Sequence, residues 1–218
     1  DLALKYEQYF SSNEWITVTG FFKHILNPIS RSEISSAGNT LTYLNVGTDA
    51  SILGVEVAAR KNILKSEALS ENEYSLNAGF NASYLNSKVN LDSSSIAQFQ
   101  QASSQLEGAT PFLMNADLSF NKKYENNEFT GTVVFNYSSD RVYSIGTRGF
   151  ENIIEKGIPT LDIVSSYTLH KKYRLNIKAT NLLNPSFQLS RASANGNSVV
   201  LSNYKKGVNL SVGISYEF

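Results

Sequence analysis

From Val208 to Phe218 the apolar residues fall at every second position: Val208, Leu210, Val212, Ile214, Tyr216 and Phe218. Asn209, Ser211, Gly213, Ser215 and Glu217 fill the gaps. Side chains of a strand point alternately to its two faces, so this spacing predicts a strand with one apolar and one polar face. The same alternation recurs along the chain. DLALKYEQYF sets Leu2, Leu4, Tyr6 and Phe10 against Ala3, Lys5 and Glu7. WITVTGFFK, ILGVEVAARK and FLMNADLSFN behave likewise, and YSLNAGFNASYL opposes Leu76, Ala78, Phe80, Ala82 and Tyr84 to Ser75, Asn77, Gly79, Asn81 and Ser83. FTGTVVFNY, TLDIVSSYTL and YRLNIKATN complete the series, which predicts nine strands of about ten residues. Helical spacing is scarce.

The connections carry a second pattern. Those at 11–14, 62–73, 123–128 and 170–172 alternate with those at 30–49, 86–110, 144–158 and 186–205, and every member of the first set is shorter than every member of the second. Short turns at one end and long loops at the other are what a transmembrane β-barrel shows, its periplasmic turns being tight and its outer loops extended. A soluble sandwich has no reason to sort its connections in this way.

Charge placement agrees. Lys5, Glu7, Lys23, Glu56, Arg60, Asp117, Asp162, Arg174, Lys178 and Glu217 all occupy the polar phase of their strands, as expected if the other phase meets lipid. Phe10, Trp15, Tyr74, Phe129, Tyr167, Tyr173, Tyr216 and Phe218 gather at the ends next to the short turns, and Tyr84, Phe112 and Tyr137 at the opposite ends, as aromatic girdles would. Arg141 falls in the apolar phase and is expected above the membrane. Asn181 breaks the phase in ATNLLNP, where a bulge is expected.

Composition narrows the classes. Lysine and arginine total 19, as do aspartate and glutamate, so no global basic field is available for nucleic acid. No apolar run reaches the length of a membrane-spanning helix. The chain holds no cysteine, which excludes disulfides, thiolate catalysis and cysteine metal sites. His24 and His170 are too few and too far apart for a metal site, and no Ser/His/Asp arrangement has supporting context. No cofactor and no enzymatic activity are therefore expected. Asn-x-Ser at Asn81, Asn136 and Asn209 follows from period 2 alone, since polar-phase neighbours are two apart.

Nine is odd, whereas single-chain antiparallel bacterial barrels close with an even number of strands. An open sheet in lipid would leave backbone groups unsatisfied. Further strands are therefore expected before Asp1.

The segments DLALKYEQYF, FFKHILNPI, ILGVEVAARKNI, LEGATPFLMNADLSF, SSDRVYSIG and KATNLLNPSF, in that order and followed by a final strand ending in Phe, resemble the C-terminal barrel half of TonB-dependent outer-membrane receptors. Within that family the flavour is that of receptors with a carboxypeptidase-regulatory-like N-terminal domain. The resemblance implies an all-β fold: residues 1–218 would be about nine C-terminal strands, 14 to 22, of a 22-stranded transmembrane antiparallel barrel, with the plug and earlier strands outside this chain. It implies a Gram-negative outer-membrane location and import of a scarce nutrient of the siderophore, cofactor, peptide or glycan class. The expected partners are outer-membrane lipid and lipopolysaccharide, the remaining strands and plug of the same protein, the TonB complex through that plug, and a surface lipoprotein. SVGISYEF is similar to the C-terminal signal read by the barrel-assembly machinery, with Ser211, Gly213, Tyr216 and Phe218 as its carriers.

Ligand contacts, if made by this chain, are expected from the outer loops at Arg31, Arg141, Tyr143, Arg148 and Arg191, because guanidinium groups grip anions bidentately. The same arginines could equally meet lipopolysaccharide phosphates or nothing. Polar rows such as Ser75, Asn77, Asn81 and Ser83 are expected to line the lumen against a plug. Two other readings compete: a receptor-like barrel serving as scaffold for a lipoprotein or a secretion or motility complex, and a soluble β-sandwich.

Overall fold

The computed structural model describes residues 1–34, 40–66, 72–92, 99, 101–147, 150–193 and 197–217. Strands β1 (Leu2–Ser11) and β2 (Glu14–Leu26) form a hairpin, and the chain then makes a second one, β3 (Ile29–Ile34) and β4 (Thr40–Asn45). The long strands β5 (Gly47–Lys65) and β6 (Asn72–Leu91) follow, then a two-residue strand, β7 (Ser103–Ser104). Next come β8 (Phe112–Tyr124), β9 (Asn127–Ser138), and the short β10 (Arg141–Ser144) and β11 (Ile153–Glu155). The chain ends with β12 (Ile158–Leu169), β13 (Tyr173–Thr180), β14 (Ser186–Ala192), β15 (Ser198–Lys205) and β16 (Asn209–Tyr216).

One antiparallel sheet orders these as β1-β2-β5-β6-β8-β9-β12-β13-β16, with β7 attached to β6. Its nine path strands are the nine that the alternation predicts. The sheet does not close on itself: among the described residues β1 pairs with β2 alone and β16 with β13 alone.

Register sorts the side chains. Leu76 pairs with Phe120, which leads through Gly131, Ser165 and Ile177 to Val212. Directly opposed residues of an antiparallel pair point to the same face, so Leu76, Phe80 and Val212 share one side. Asn77, Ser119, Thr132, Val164, Lys178 and Ser211 form the next row, on the other side, and Glu56 opposite Ser83 stands with them. On the apolar side Phe80, Leu118, Val133 and Ile163 are exposed even on interior strands of the sheet, as side chains that meet hydrocarbon are. Aromatic rings meet at a tilt across the strands of this side, Tyr173 against Tyr216 with ring centroids 4.9 Å apart and Phe120 against Phe129 at 6.3 Å.

Three expectations change. Trp15 pairs with Arg60 and so stands on the polar face, not in a lipid-facing girdle. Asn181 makes no bulge. It lies beyond the end of β13 in the left-handed region (φ 59°), its amide donating to Asp162 Oδ1 at 2.7 Å and its side chain to the Gly207 carbonyl at 2.6 Å. Asn tolerates that conformation because its short polar side chain bonds locally. The third concerns the long connections, expected as extended loops: their described residues are largely paired strand. β5 and β6 run to 19 and 20 residues, about twice what spans the hydrocarbon, and the other long connections fold into a β3-β4 hairpin and a four-stranded sheet, β10-β11-β14-β15.

The packed core lies in this outer region. Val46, Ala50, Val89, Leu91, Phe99, Val142 and Ile145 are buried together, with Ile25, Leu44, Leu106 and Ile154 against them. Among the described residues the membrane wall has no core of its own.

Ala116 lies midway along β8, in the row of Phe80, Ala59, Phe135 and Leu161, and Asn115 is its neighbour on the polar face. In the intact receptor folded in lipid, Ala116→Arg is expected to lower unfolding free energy by about 2–4 kcal/mol. Asn115→Arg should cost much less. Urea titration of the folded protein in bilayers checks this, and equal losses would mean that the two faces are misassigned.

Candidate ligand face at the outer end of the wall

Near their outer ends several wall strands place apolar residues in the polar phase. Ile52, Leu85, Leu113 and Ile158 are apolar residues in the polar phase. Ser83 pairs with Leu113, Leu113 with Ser138 and Ser138 with Ile158, while Leu85 pairs with Gly54. Phe21, opposite Gly54, lays its ring over that glycine, where a Cβ would collide with it. The polar face therefore carries an apolar floor at this end. The segment after β7 folds along it: Leu106 N–H donates to Ser87 Oγ at 3.1 Å, Gly108 N–H to the Val142 carbonyl at 2.9 Å, and Leu85 N–H to the Pro111 carbonyl at 2.8 Å.

Above this floor stand Arg31 and Arg141, two of the arginines singled out in the sequence. Arg31 and Tyr143 come together: the guanidinium carbon lies 4.2 Å from the Tyr143 ring centroid and 5.5 Å from that of Tyr43. Arg31 Nη2 also donates to Tyr43 Oη at 2.9 Å, and Glu107 stands 4.0 Å away. The hydrogen bond that Arg31 donates to Tyr43 Oη raises its pKa above the ordinary value, against the lowering effect of partial burial. Arg141 opens β10 off the membrane wall and pairs with Glu155 at 2.8 Å. Its apolar-phase position therefore faces no lipid.

Arg191 has another task. Its side chain is 11% exposed and is bonded to Glu33, which is 4% exposed, while the Phe150 ring lies 4.7 Å from the guanidinium carbon. This pair ties β14 to β3, two elements 158 residues apart in the chain. A backbone bond ties β3 also to the residue after β10, Ile145 N–H donating to the Arg31 carbonyl at 2.9 Å. Asn152 Nδ2 donates to Ser104 Oγ at 2.9 Å and joins the third outer connection to the second. Arg148 lies outside the described residues.

Some residues escaped the sequence reading. Glu33, Glu107 and Glu155, which neutralise the arginines, carry no local signal, since their partners are distant in sequence. Lys206 and Phe187 were missed as well. The Lys206 ammonium lies 4.0 Å from the Phe187 ring centroid, and Phe187 stacks on Tyr204 at 5.5 Å. The apolar floor was findable, because Leu85 and Leu113 visibly violate period 2.

At the C-terminal strand, Ser211 pairs with Lys178, Gly213 with Asn176 and Tyr216 with Tyr173. Among the described residues nothing stands within 4 Å of where a Gly213 Cβ would lie. Phe218 lies outside the described residues.

Asp140 closes the outer end of β9. Burial alone would raise its pKa, but the Gly157 amide, donating at 2.7 Å, and the Lys156 ammonium, also at 2.7 Å, outweigh that and hold it below the ordinary value of 3.8. A carboxylate with a depressed folded pKa stabilises above its unfolded value and loses that contribution as pH falls through the folded one. Pepsin cleavage within 139–157 is therefore expected to rise only when pH drops below 3.8. In Asp140→Asn it should be raised already and flat with pH.

The buried pair gives a second expectation. Removing one partner strands a buried charge at a cost of about 3–5 kcal/mol. Glu33→Gln should thus speed amide hydrogen exchange in β3 and β14 together, whereas the double change to Glu33→Leu and Arg191→Met should be milder than either single one. Exchange confined to one strand would show that the pair does not tie the loops.

Comparison with curated proteins and with solved structures gives no match. The family model described as TonB dependent receptor-like, beta-barrel matches residues 1–182, from β1 to just past β13. The antiparallel wall, its two opposed faces and its one-sided extensions are the geometry that this description requires. The chain belongs to the TonB-dependent receptor β-barrel family of the Gram-negative outer membrane.

Proposed function

We infer that residues 1–218 are the C-terminal part of the barrel of an outer-membrane receptor that imports a scarce nutrient. The cargo is of the siderophore, cofactor, peptide or glycan class, and TonB energises transport through a plug carried by the rest of the protein. In this reading the chain supplies wall and outer loops and no bond-making chemistry. The observation that carries it is the one-sided wall. Nine paired strands turn tightly at one end and rise at the other into a layer of arginine, tyrosine and carboxylate side chains. Arg31 with Tyr143, Arg141 and Arg148 are the residues proposed to face ligand. Arg191 would act by holding the loops that carry them. Ser211, Gly213, Tyr216 and Phe218 would serve the barrel-assembly machinery, and lipopolysaccharide would surround the outer rim.

A scaffold role is favoured by one feature. β15 is an edge strand on the outer sheet and exposes Val199, Val200, Leu201 and Tyr204, a surface suited to a lipoprotein partner.

Uptake measured in cells separates the two. Cells carrying the intact receptor would be supplied in turn with a ferric siderophore, cobalamin, an oligopeptide or an oligosaccharide as the limiting nutrient. Import should support growth on one of them and fail when TonB is deleted. Growth unaffected by TonB on all four, with a lipoprotein co-purifying, would favour the scaffold.

A further inference from the structure

The apolar floor at the outer end of the wall is one side of a cavity of about 730 Å³. Ile52, Leu85, Leu113 and Ile158 rise from the wall, Leu106 comes from the segment after β7, and Phe187 reaches in from β14. That volume is in the range of small-ligand sites, which are apolar with a few placed polar groups. Leu113 is 38% exposed although it sits on the polar face. An apolar patch on the face that carries Asn77, Ser119, Thr132 and Lys178 has no lipid to meet. Its occupant must come from the lumen side.

The charges around the rim fix the sign of that occupant. Glu107, Arg141, Glu155, Lys156 and Lys206 line the cavity. Arg141 is answered by Glu155 at 2.8 Å and Lys156 by Asp140 at 2.7 Å, and Glu107 stands 4.0 Å from Arg31. Lys206 is left: among the described residues no carboxylate pairs with it, and its ammonium is poised over the Phe187 ring, which itself stacks on Tyr204. A cation over an aromatic face keeps its remaining donors for an acceptor outside the ring.

We propose that this cavity binds an amphipathic monoanion, its apolar or aromatic body on Leu85, Leu113, Ile158 and Phe187 and its carboxylate on Lys206. The proposal rests on the receptor reading above only in taking the outer end as the ligand side. It narrows the cargo to molecules that present an apolar group beside a carboxylate, and disfavours neutral glycans at this position.

The test uses the full-length receptor in lipid nanodiscs, with naphthalene-1-acetate and the isosteric uncharged naphthalene-1-acetamide as probes in calorimetric titration. The acid is expected to bind about tenfold more tightly than the amide, as a charge-assisted contact does. Lys206→Gln should erase that difference and leave amide binding unchanged. Leu113→Gln should weaken both probes alike. Lys205→Gln, next in the chain and outside the cavity lining, should preserve the preference. Heat-modified electrophoretic mobility verifies that each variant is a folded barrel. Equal binding of acid and amide, a preference that survives in Lys206→Gln, or no binding of either probe at millimolar concentration overturns the proposal. The last is also the result expected if the plug fills the cavity. Because no energised transport is read, these outcomes stand apart from TonB-dependent uptake, which can succeed while the cavity fails.

Discussion

Hydrocarbon offers no hydrogen bonds, so each backbone N–H and C=O within the membrane must find its partner on a neighbouring strand. Nearly everything else in this molecule depends on that ladder. It forces antiparallel neighbours to pair without interruption, and uninterrupted pairing propagates one register across the sheet from Leu76 in β6 to Val212 in β16. Once register is fixed, period 2 divides the side chains into a face for lipid and a face for the lumen. A slip by one residue would drive Lys178 and Glu56 into lipid, so the charges make the register self-enforcing.

The ladder stabilises a wall but not what stands above it. Outside the membrane, water competes for the same backbone groups, and the extensions need a core and side-chain ties of their own. They have both. Val46, Val89, Val142 and Ile145 pack where the tall strands β5 and β6 meet the outer hairpins. The Glu33–Arg191 pair and the Asn152–Ser104 bond then join connections that the wall keeps apart. Such ties fix one arrangement of the loops more than they lower its energy, because the pair must repay its own desolvation. For a surface that presents Arg31, Tyr143 and Lys206 together, a fixed arrangement is what matters.

The wall was legible in the sequence because its physics is local. Each strand declares its faces within ten residues, as YSLNAGFNASYL does, and lipid punishes exceptions. End position groups Trp15 with the girdle, whereas its phase, shared with Thr17 and Thr19, puts it on the polar side. Asn181 carries the sequence mark of a bulge because a phase break looks the same whether the strand kinks or stops. The outer sheet was hidden for a different reason. In β14 and β15 the runs are short, neither face meets lipid, and the partners are set by contacts such as Glu33 with Arg191 across most of the chain. No window of sequence contains both members of such a pair.

Exceptions to a strong pattern are more informative than its observance. On the lumen face an apolar residue gains nothing from lipid and loses contact with water-bound neighbours, so Leu85, Leu113 and Ile158 would be unfavourable there unless something apolar covers them. The segment 106–110 covers part of the patch, with Leu106 packed into the buried cluster, and the rest opens into the cavity. Arg141 breaks the pattern in the opposite sense, and it too stands at this end of the wall, beside Glu155. Polar positions filled by leucine and an apolar one filled by arginine thus converge at one height. That height is where the membrane's demand on the sequence ends and the demand of a ligand can begin.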